Sequence, residues 1–252
     1  MSRIENQLKQ KPGYIAYLTM GDGGLDRSYE SLLALTKAGV DILEIGMPFS
    51  DPVADGPVIQ QASQRALQTG TTLNDVFEVI KKLREKTQTP FILFTYYNPV
   101  LAAGKHFYRR AKQVGVDGCL VVDLPLEEAG DHQNACHKVG IDPIFLLSPS
   151  TPKERIIEIN QHSRGMLYYA SRQGVTGVKH SLPDDFVEKI KLIQSIATLP
   201  VVAGFGIANR KMAADVLSYA DGFVVGSLFV EAVAQGISAT KLMELAKSID
   251  PR

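Results

Sequence analysis

The feature that most narrows what this chain can become is the regular return of short, β-rich apolar runs, each followed by a segment of helical periodicity. Eight such runs occur, over residues 14–20, 41–47, 90–96, 118–122, 142–147, 165–169, 200–203 and 221–225. The amphipathic stretches follow at 28–38, 73–86, 107–114, 126–139, 152–161, 183–197, 209–219 and 240–249. Strands separated by helix-length segments build parallel sheets through βαβ connections. Three junctions share one pattern, Ala38-Gly39-Val40-Asp41, Val114-Gly115-Val116-Asp117 and Val139-Gly140-Ile141-Asp142, in which glycine suits the left-handed position that ends a helix. An open doubly wound sheet that binds a dinucleotide would carry a Gly-rich fingerprint after its first strand, and Gly21-Asp22-Gly23-Gly24 does not have that spacing. The expectation is an α/β fold, a single (β/α)8 barrel over residues 1–252, a length such barrels reach as one unit.

Charge excludes several partners. Twenty-seven basic residues balance 27 acidic ones and are scattered rather than striped, so the electrostatic footprint of a nucleic-acid or membrane-surface binder is missing. Cys119 and Cys136 are far apart in sequence and have no ligand-spaced neighbours, which points to neither a disulfide framework nor a zinc site and suits a reducing, cytoplasmic setting. The opening MSRIENQLKQKPG holds no apolar run for export, and no later stretch reaches membrane-spanning length. A small-molecule partner is favoured.

In a parallel barrel, chemistry gathers at the C-terminal ends of the strands. The segment 43–57, LEIGMPFSDPVADGP, runs from the second strand straight into such a loop. Glu44 interrupts an apolar strand, and burying a carboxylate without a partner costs several kcal/mol unless it is protonated or hydrogen-bonded. Alone, Glu44 reads equally as a structural acid satisfied by a hydroxyl or water. Asp51 and Asp55 follow, however, on a loop stiffened by Pro48, Pro52 and Pro57, with turns expected at Gly46 and Gly56. One acid in an apolar strand and one on a more polar loop are the ingredients for separating two proton affinities, so that one donates while the other accepts.

Gly204 and Gly206 after the seventh strand, and Gly226-Ser227 opening a short helix after the eighth, put exposed backbone where barrels hold phosphate. Each glycine alone reads as an ordinary turn; two adjacent loops with the same feature favour an anion. Residues 172–182 form a loop longer than most βα connections, as lids do. Tyr17, Phe94, Tyr96, Val122, Tyr168 and Phe205 stand at strand ends, where they serve either a flat apolar pocket or the packed barrel interior. The five histidines lie away from the strand ends and read as surface or structural residues.

The run 43–57 resembles the signature of tryptophan synthase alpha subunits. The likeness extends to Thr19-Met20-Gly21-Asp22, to Ser171-Arg172-Gln173-Gly174-Val175-Thr176-Gly177, to Gly204-Phe205-Gly206-Ile207 and to Gly226-Ser227, and so covers essentially the whole chain. Gly23 departs from the pattern, since relatives usually carry proline there. The resemblance implies a TIM barrel with short extra helices at the N-terminus and at the phosphate site. It also implies a lyase that splits indole-3-glycerol phosphate into indole and glyceraldehyde 3-phosphate. Glu44 would then be acid at the indole carbon and base toward the glycerol hydroxyl, and Asp55 the partner of the indole N–H, with Tyr168 and Phe205 against the ligand. Gly177, Gly206, Gly226 and Ser227 would hold phosphate, and Arg172 and Thr176 would belong to the lid. No cofactor or metal is implied in this chain. A β subunit carrying pyridoxal phosphate is, in an α2β2 assembly, facing Pro48, Asp51, Asn98, Asp123 and Pro125. Three alternatives stay open: a stand-alone lyase with the same acids, a non-catalytic allosteric barrel that binds the phosphate ligand, and a phosphate-binding barrel with another substrate.

Overall fold

The computed structural model describes residues 1–170, 182–204 and 206–252. Among these described residues nine strands form one parallel sheet: β1 Gly13–Thr19, β2 Ile42–Gly46, β3 Phe91–Thr95, β4 Gly118–Val121, β5 Asp142–Ile144, β6 Leu146–Leu147, β7 Leu167–Ala170, β8 Val201–Gly204 and β9 Gly222–Val225. Their order is β5-β4-β3-β2-β1-β9-β8-β7-β6. The two ends of that order, β5 and β6, are consecutive in the chain and separated only by Phe145, so the sheet closes on itself as an eight-unit barrel. The expected fifth strand is thus split: Phe145 points outward into the core beneath the helices, while Ile144 and Leu146 face inward.

Alternation sorts the strand residues, because neighbouring side chains leave opposite faces. Ile15, Ile42, Ile92, Leu120, Ile144, Met166, Val202 and Val224 fill the interior, and Leu43, Ile45, Phe91, Cys119 and Tyr169 pack outward against the helices. The helices are α1 Arg3–Gln10, α2 Leu25–Ala38, α3 Pro57–Gln68, α4 Leu73–Arg84, α5 Tyr97–Ala103, α6 Phe107–Val114, α7 Gly130–Val139, α8 Lys153–His162, α9 Phe186–Ile196, α10 Arg210–Leu217, α11 Ser227–Ala234 and α12 Ala239–Ile249. The expected N-terminal helix is α1, capped by the Ser2 hydroxyl on the Glu5 amide. Its Ile4 and Leu8, one turn apart on one face, join the interior cluster and stopper the N-terminal end of the barrel. Glycine is needed beneath them: a Cβ on Gly13 would lie 2.2 Å from Leu8, and one on Gly118 2.7 Å from Ile4.

Helices α3 and α5 are absent from the periodicity reading. The buried face of α3 is Ala62, Ser63 and Ala66, too small and too polar to register as an apolar stripe; α5 is two turns long and buries only Val100.

Candidate active site

Glu44 sits in the middle of β2, on the inward face set by Ile42, and pairs across the sheet with Tyr17 of β1 and Ile92 of β3. It is 0% exposed. Neither carboxyl oxygen has a well-formed hydrogen bond among the described residues; the neighbour that acts on it is the Tyr168 hydroxyl of β7. Burial pushes the Glu44 carboxyl up to about 8, against a smaller opposing effect of Tyr168. At neutral pH it is therefore a protonated acid.

Asp55 lies on the loop between β2 and α3 and is half-buried. Tyr96, just past β3, donates its hydroxyl to Asp55 Oδ2 at 2.9 Å and accepts the Ala54 amide at 3.0 Å. Burial raises Asp55 to about 6, again partly offset by its tyrosine partner. Two carboxyls with neighbouring tyrosines thus lie about two units apart, one protonated and one ionised near neutrality, as an acid and an acceptor require. The charges of both carboxyls reach the hydroxyls of Tyr17 and Tyr168, which places those two phenols within the field of the pair.

Tyr17 joins the parts of the site. Its ring meets Phe94 edge-on at 5.1 Å, and its hydroxyl shares a 3.2 Å hydrogen bond with Thr19 Oγ1. At its base it passes Gly226, where a Cβ would lie 3.5 Å from Tyr17 Cβ; at its tip it covers Gly46, where a Cβ would lie 2.2 Å from the hydroxyl. One side chain therefore spans from the glycine that opens α11 to the strand that carries Glu44. This corrects the reading of Gly46 as a turn. It ends β2, has no positive φ, and is glycine because the Tyr17 ring occupies the space of a side chain. Gly204, the end of β8, is likewise packed, with a Cβ position 2.8 Å from the Tyr168 hydroxyl. Gly56 has ordinary φ and serves as the N-cap of α3.

On the phosphate side, Gly206 is exposed with φ +76°, a conformation that favours glycine. Gly226 caps α11, Ser227 is its first residue, and its first turn carries no acidic side chain, leaving amides and a positive helix end for an anion. Val122 is half-buried at the rim of the interior cluster with Phe94. Tyr96 is buried, and its hydroxyl is the partner of Asp55. Arg172, Thr176, Gly177 and Phe205 lie outside the described residues.

Of the five residues expected to face a partner, Asp51, Asn98, Asp123 and Pro125 are exposed at the C-terminal end of the barrel. Asn98 belongs to the first turn of α5 rather than to a loop, and Asp123 accepts the Tyr97 amide there at 2.7 Å. Pro48 is buried within the chain and offers little surface of its own. The sequence reading missed Gln60 and Arg65: Gln60 Nε2 donates to the Asp55 carbonyl at 2.9 Å, and Arg65 binds Asp22. Asp22 stood in a quoted motif, but its distant partner leaves no local signal.

Comparison with known proteins gives one consistent result. The family model described as tryptophan synthase alpha chain matches residues 4–249. The tryptophan synthase alpha chain of Coxiella burnetii (strain CbuK_Q154) is 61% identical over all of this chain and 98% of its own length. That of Chlamydia caviae is 46% identical over the whole of both. Among solved structures, a chain of the tryptophan synthase complex from Pyrococcus furiosus superposes with a TM-score of 0.89 at 35% identity, covering 95% of this chain and 98% of that one. A chain of tryptophan synthase from M. tuberculosis gives 0.90 at 30% identity, over 99% and 97%. With its barrel, its carboxylate loop and its full-length likeness all in agreement, the chain belongs to the tryptophan synthase alpha chain family, the lyases that cleave indole-3-glycerol phosphate.

Proposed function

We propose that residues 1–252 act as one catalytic barrel in which Glu44 and Asp55 cleave indole-3-glycerol phosphate to indole and glyceraldehyde 3-phosphate. The observation that carries this reading is the unequal environment of the two acids. Glu44, protonated at rest, donates its proton to the indole ring carbon that bears the glycerol chain, which turns that carbon into a leaving group. The carboxylate so formed takes the proton of the adjacent glycerol hydroxyl as the carbon–carbon bond breaks and the aldehyde forms. Glu44 ends protonated, so no proton is gained or lost. Asp55, ionised and oriented by Tyr96, accepts the indole N–H hydrogen bond as positive charge develops on the ring.

Tyr17, Phe94, Tyr96, Val122 and Tyr168, with Phe205, supply the apolar walls, and Gly206, Gly226 and Ser227, with Gly177, bind the phosphate. Arg172 and Thr176 belong to the covering loop. The chemistry asked of this chain is acid–base only and calls for no cofactor or metal. The family names and the complex from Pyrococcus furiosus support assembly with a β subunit. In our reading that partner carries pyridoxal phosphate in an α2β2 assembly and meets the exposed Asp51, Asn98, Asp123 and Pro125. Among the described residues no helix is long and apolar enough to cross a membrane, and a biosynthetic role of this kind fits the cytoplasm.

The test is indole release from indole-3-glycerol phosphate by the purified chain, alone and with a β subunit, with Glu44→Gln and Asp55→Asn as controls. Strong stimulation by the partner is expected. High activity alone, unchanged by the partner, would select the stand-alone lyase, and near-normal indole release by Glu44→Gln would defeat the assignment.

A further inference from the structure

Asp22 lies on the loop after β1, is 2% exposed, and takes no part in the chemistry above. Its carboxylate is gripped by both arms of one guanidinium: Arg65 Nε meets Oδ1 at 2.7 Å and an Arg65 terminal nitrogen meets Oδ2 at 2.8 Å. Such two-pronged pairs fix direction as well as distance. Arg65 sits in α3, the helix that begins at Pro57, two residues beyond Asp55.

Both ends of α3 are tied as well. Near its start, Gln60 Nε2 holds the Asp55 carbonyl at 2.9 Å and reaches the Pro52 carbonyl at 3.3 Å. Beyond its end, Thr71 is seated on Gly21, where a Cβ would lie 2.0 Å from Thr71 Oγ1, and Gly21 is in turn anchored through its amide to Ser28 Oγ at 2.9 Å. The helix is thus a bar resting on the β1 loop, with Asp55 at its leading end.

Resting on the reading of Asp55 as the indole N–H acceptor, we propose that Asp22 and Arg65 are positioning residues for Asp55, acting through α3. Only the Asp22 side of the pair is buried, the Arg65 side chain being 39% exposed, and a half-exposed ion pair is weak evidence for stability. Here the pair couples the loop after the first strand to the helix that carries the second carboxylate. Displacement of about 1 Å in a reacting group costs up to about 10²-fold in rate, so a strap of this kind has a kinetic consequence.

The experiment measures steady-state indole release by Arg65→Ala, Arg65→Lys and Asp22→Asn, each also combined with Asp55→Asn, with thermal midpoints recorded alongside. Arg65→Ala and Asp22→Asn are expected to lower kcat about ten- to hundredfold, with KM moving much less, as for an interaction realised in the transition state. Arg65→Lys recovers part of the loss, because it keeps the charge but not the fork. In the Asp55→Asn background the same changes should cost little more, within about twofold, because the residue they serve is already disabled. A lowered thermal midpoint with normal kcat, or losses that multiply in the double variants, would overturn the proposal. If Arg65→Ala does not fold, the near-isosteric Asp22→Asn and the charge-preserving Arg65→Lys carry the test. Normal turnover by Asp55→Asn itself would instead strike the reading of the active site, a separate outcome.

Discussion

The two ends of this barrel use the same residue types to opposite effect. At the N-terminal end, three of the aspartates that lead the strands are met by amides or cations. Asp41 accepts the Tyr14 amide at 2.9 Å and pairs with Lys11 and Arg252. Asp117 accepts the Phe91 amide at 2.9 Å and pairs with Arg84 at 2.7 Å and Arg3 at 3.6 Å, and Asp221 accepts the Val201 amide at 2.7 Å. Each stitches its own strand to the start of a neighbour. At the C-terminal end, Glu44 has no cation and no completed hydrogen bond among the described residues, and Asp55 has tyrosine and no cation. Carboxylates whose charge is met hold the barrel together; carboxyls whose charge is left unmet keep a raised proton affinity, which is what acid–base chemistry uses.

The sharpest break of that comparison is Glu44→Gln. Removing a positioned acid costs about 10²- to 10⁴-fold in rate, and because Glu44 serves as both acid and base we expect the upper part of that range in kcat. Asp55→Asn should fall at its lower part. Neither should lower the thermal midpoint, since Gln and Asn are the neutral isosteres of acids that burial already disfavours as anions. A Glu44→Gln protein that unfolds easily would show that the two ends do the same work.

Next in size is Asp117→Ala at the opposite end. Breaking a buried ion pair by removing one partner costs about 3–5 kcal/mol, and here Arg84 and the Phe91 amide both lose their acceptor. The expected outcome in a urea titration is a midpoint lowered accordingly, with kcat of the folded fraction unchanged. A selective loss of turnover with normal stability would reverse the assignment of roles.

How far this division could be read from the sequence depends on where each partner sits. Eight strands, the closed barrel and the inward acid of LEIGMPFSDPVADGP are visible because strand periodicity and an apolar run are local properties. Asp41, Asp117 and Asp142 were visible too, as Gly-Val-Asp and Gly-Ile-Asp junctions, but only the helix-ending glycine carried a local meaning. That Asp117 binds an amide 26 residues back is a product of register. For the same reason Gly46 read as a turn, since the ring that makes its side chain impossible arrives from the neighbouring strand. Helix α3 was lost to its small buried face, and with it Arg65 and Gln60.

Titration sharpens the comparison further. For kcat/KM, Asp55 must be ionised and Glu44 protonated, so the profile should fall below about 6 and above about 8. Stability carries its own signature. Glu44 in the folded state holds its proton to about 8, well above its ordinary 4.5. Between those values the unfolded chain releases a proton that the folded chain keeps, so stability is fully present below the lower value and is lost as pH rises through the upper one. Glu44→Gln should flatten that slope, as read from urea midpoints across the same pH range. A slope unchanged by the substitution would mean that Glu44 is not the buried acid responsible.

The smallest effect tests the rule at its exception. Asp142 leads β5 at the N-terminal end, as Asp41 and Asp117 lead their strands, yet its Oδ2 is buried without a hydrogen-bond partner among the described residues. Burial raises its proton affinity, with Ser2 and Arg164 opposing. If position in the barrel determined an acid's contribution, Asp142→Asn would destabilise as Asp117→Ala does. If satisfaction of charge determines it, the substitution relieves an unmet buried oxygen, and stability at neutral pH should stay the same or rise by no more than about 1 kcal/mol. The sign follows from the direction of the shift: a carboxyl that binds its proton more tightly when folded loses stability as pH rises, and the amide does not titrate. Urea midpoints of Asp142→Asn and Asp117→Ala, compared at one neutral pH, decide between the two accounts, and a loss for Asp142→Asn as large as that for Asp117→Ala would leave location, rather than unmet charge, as the property that separates the ends.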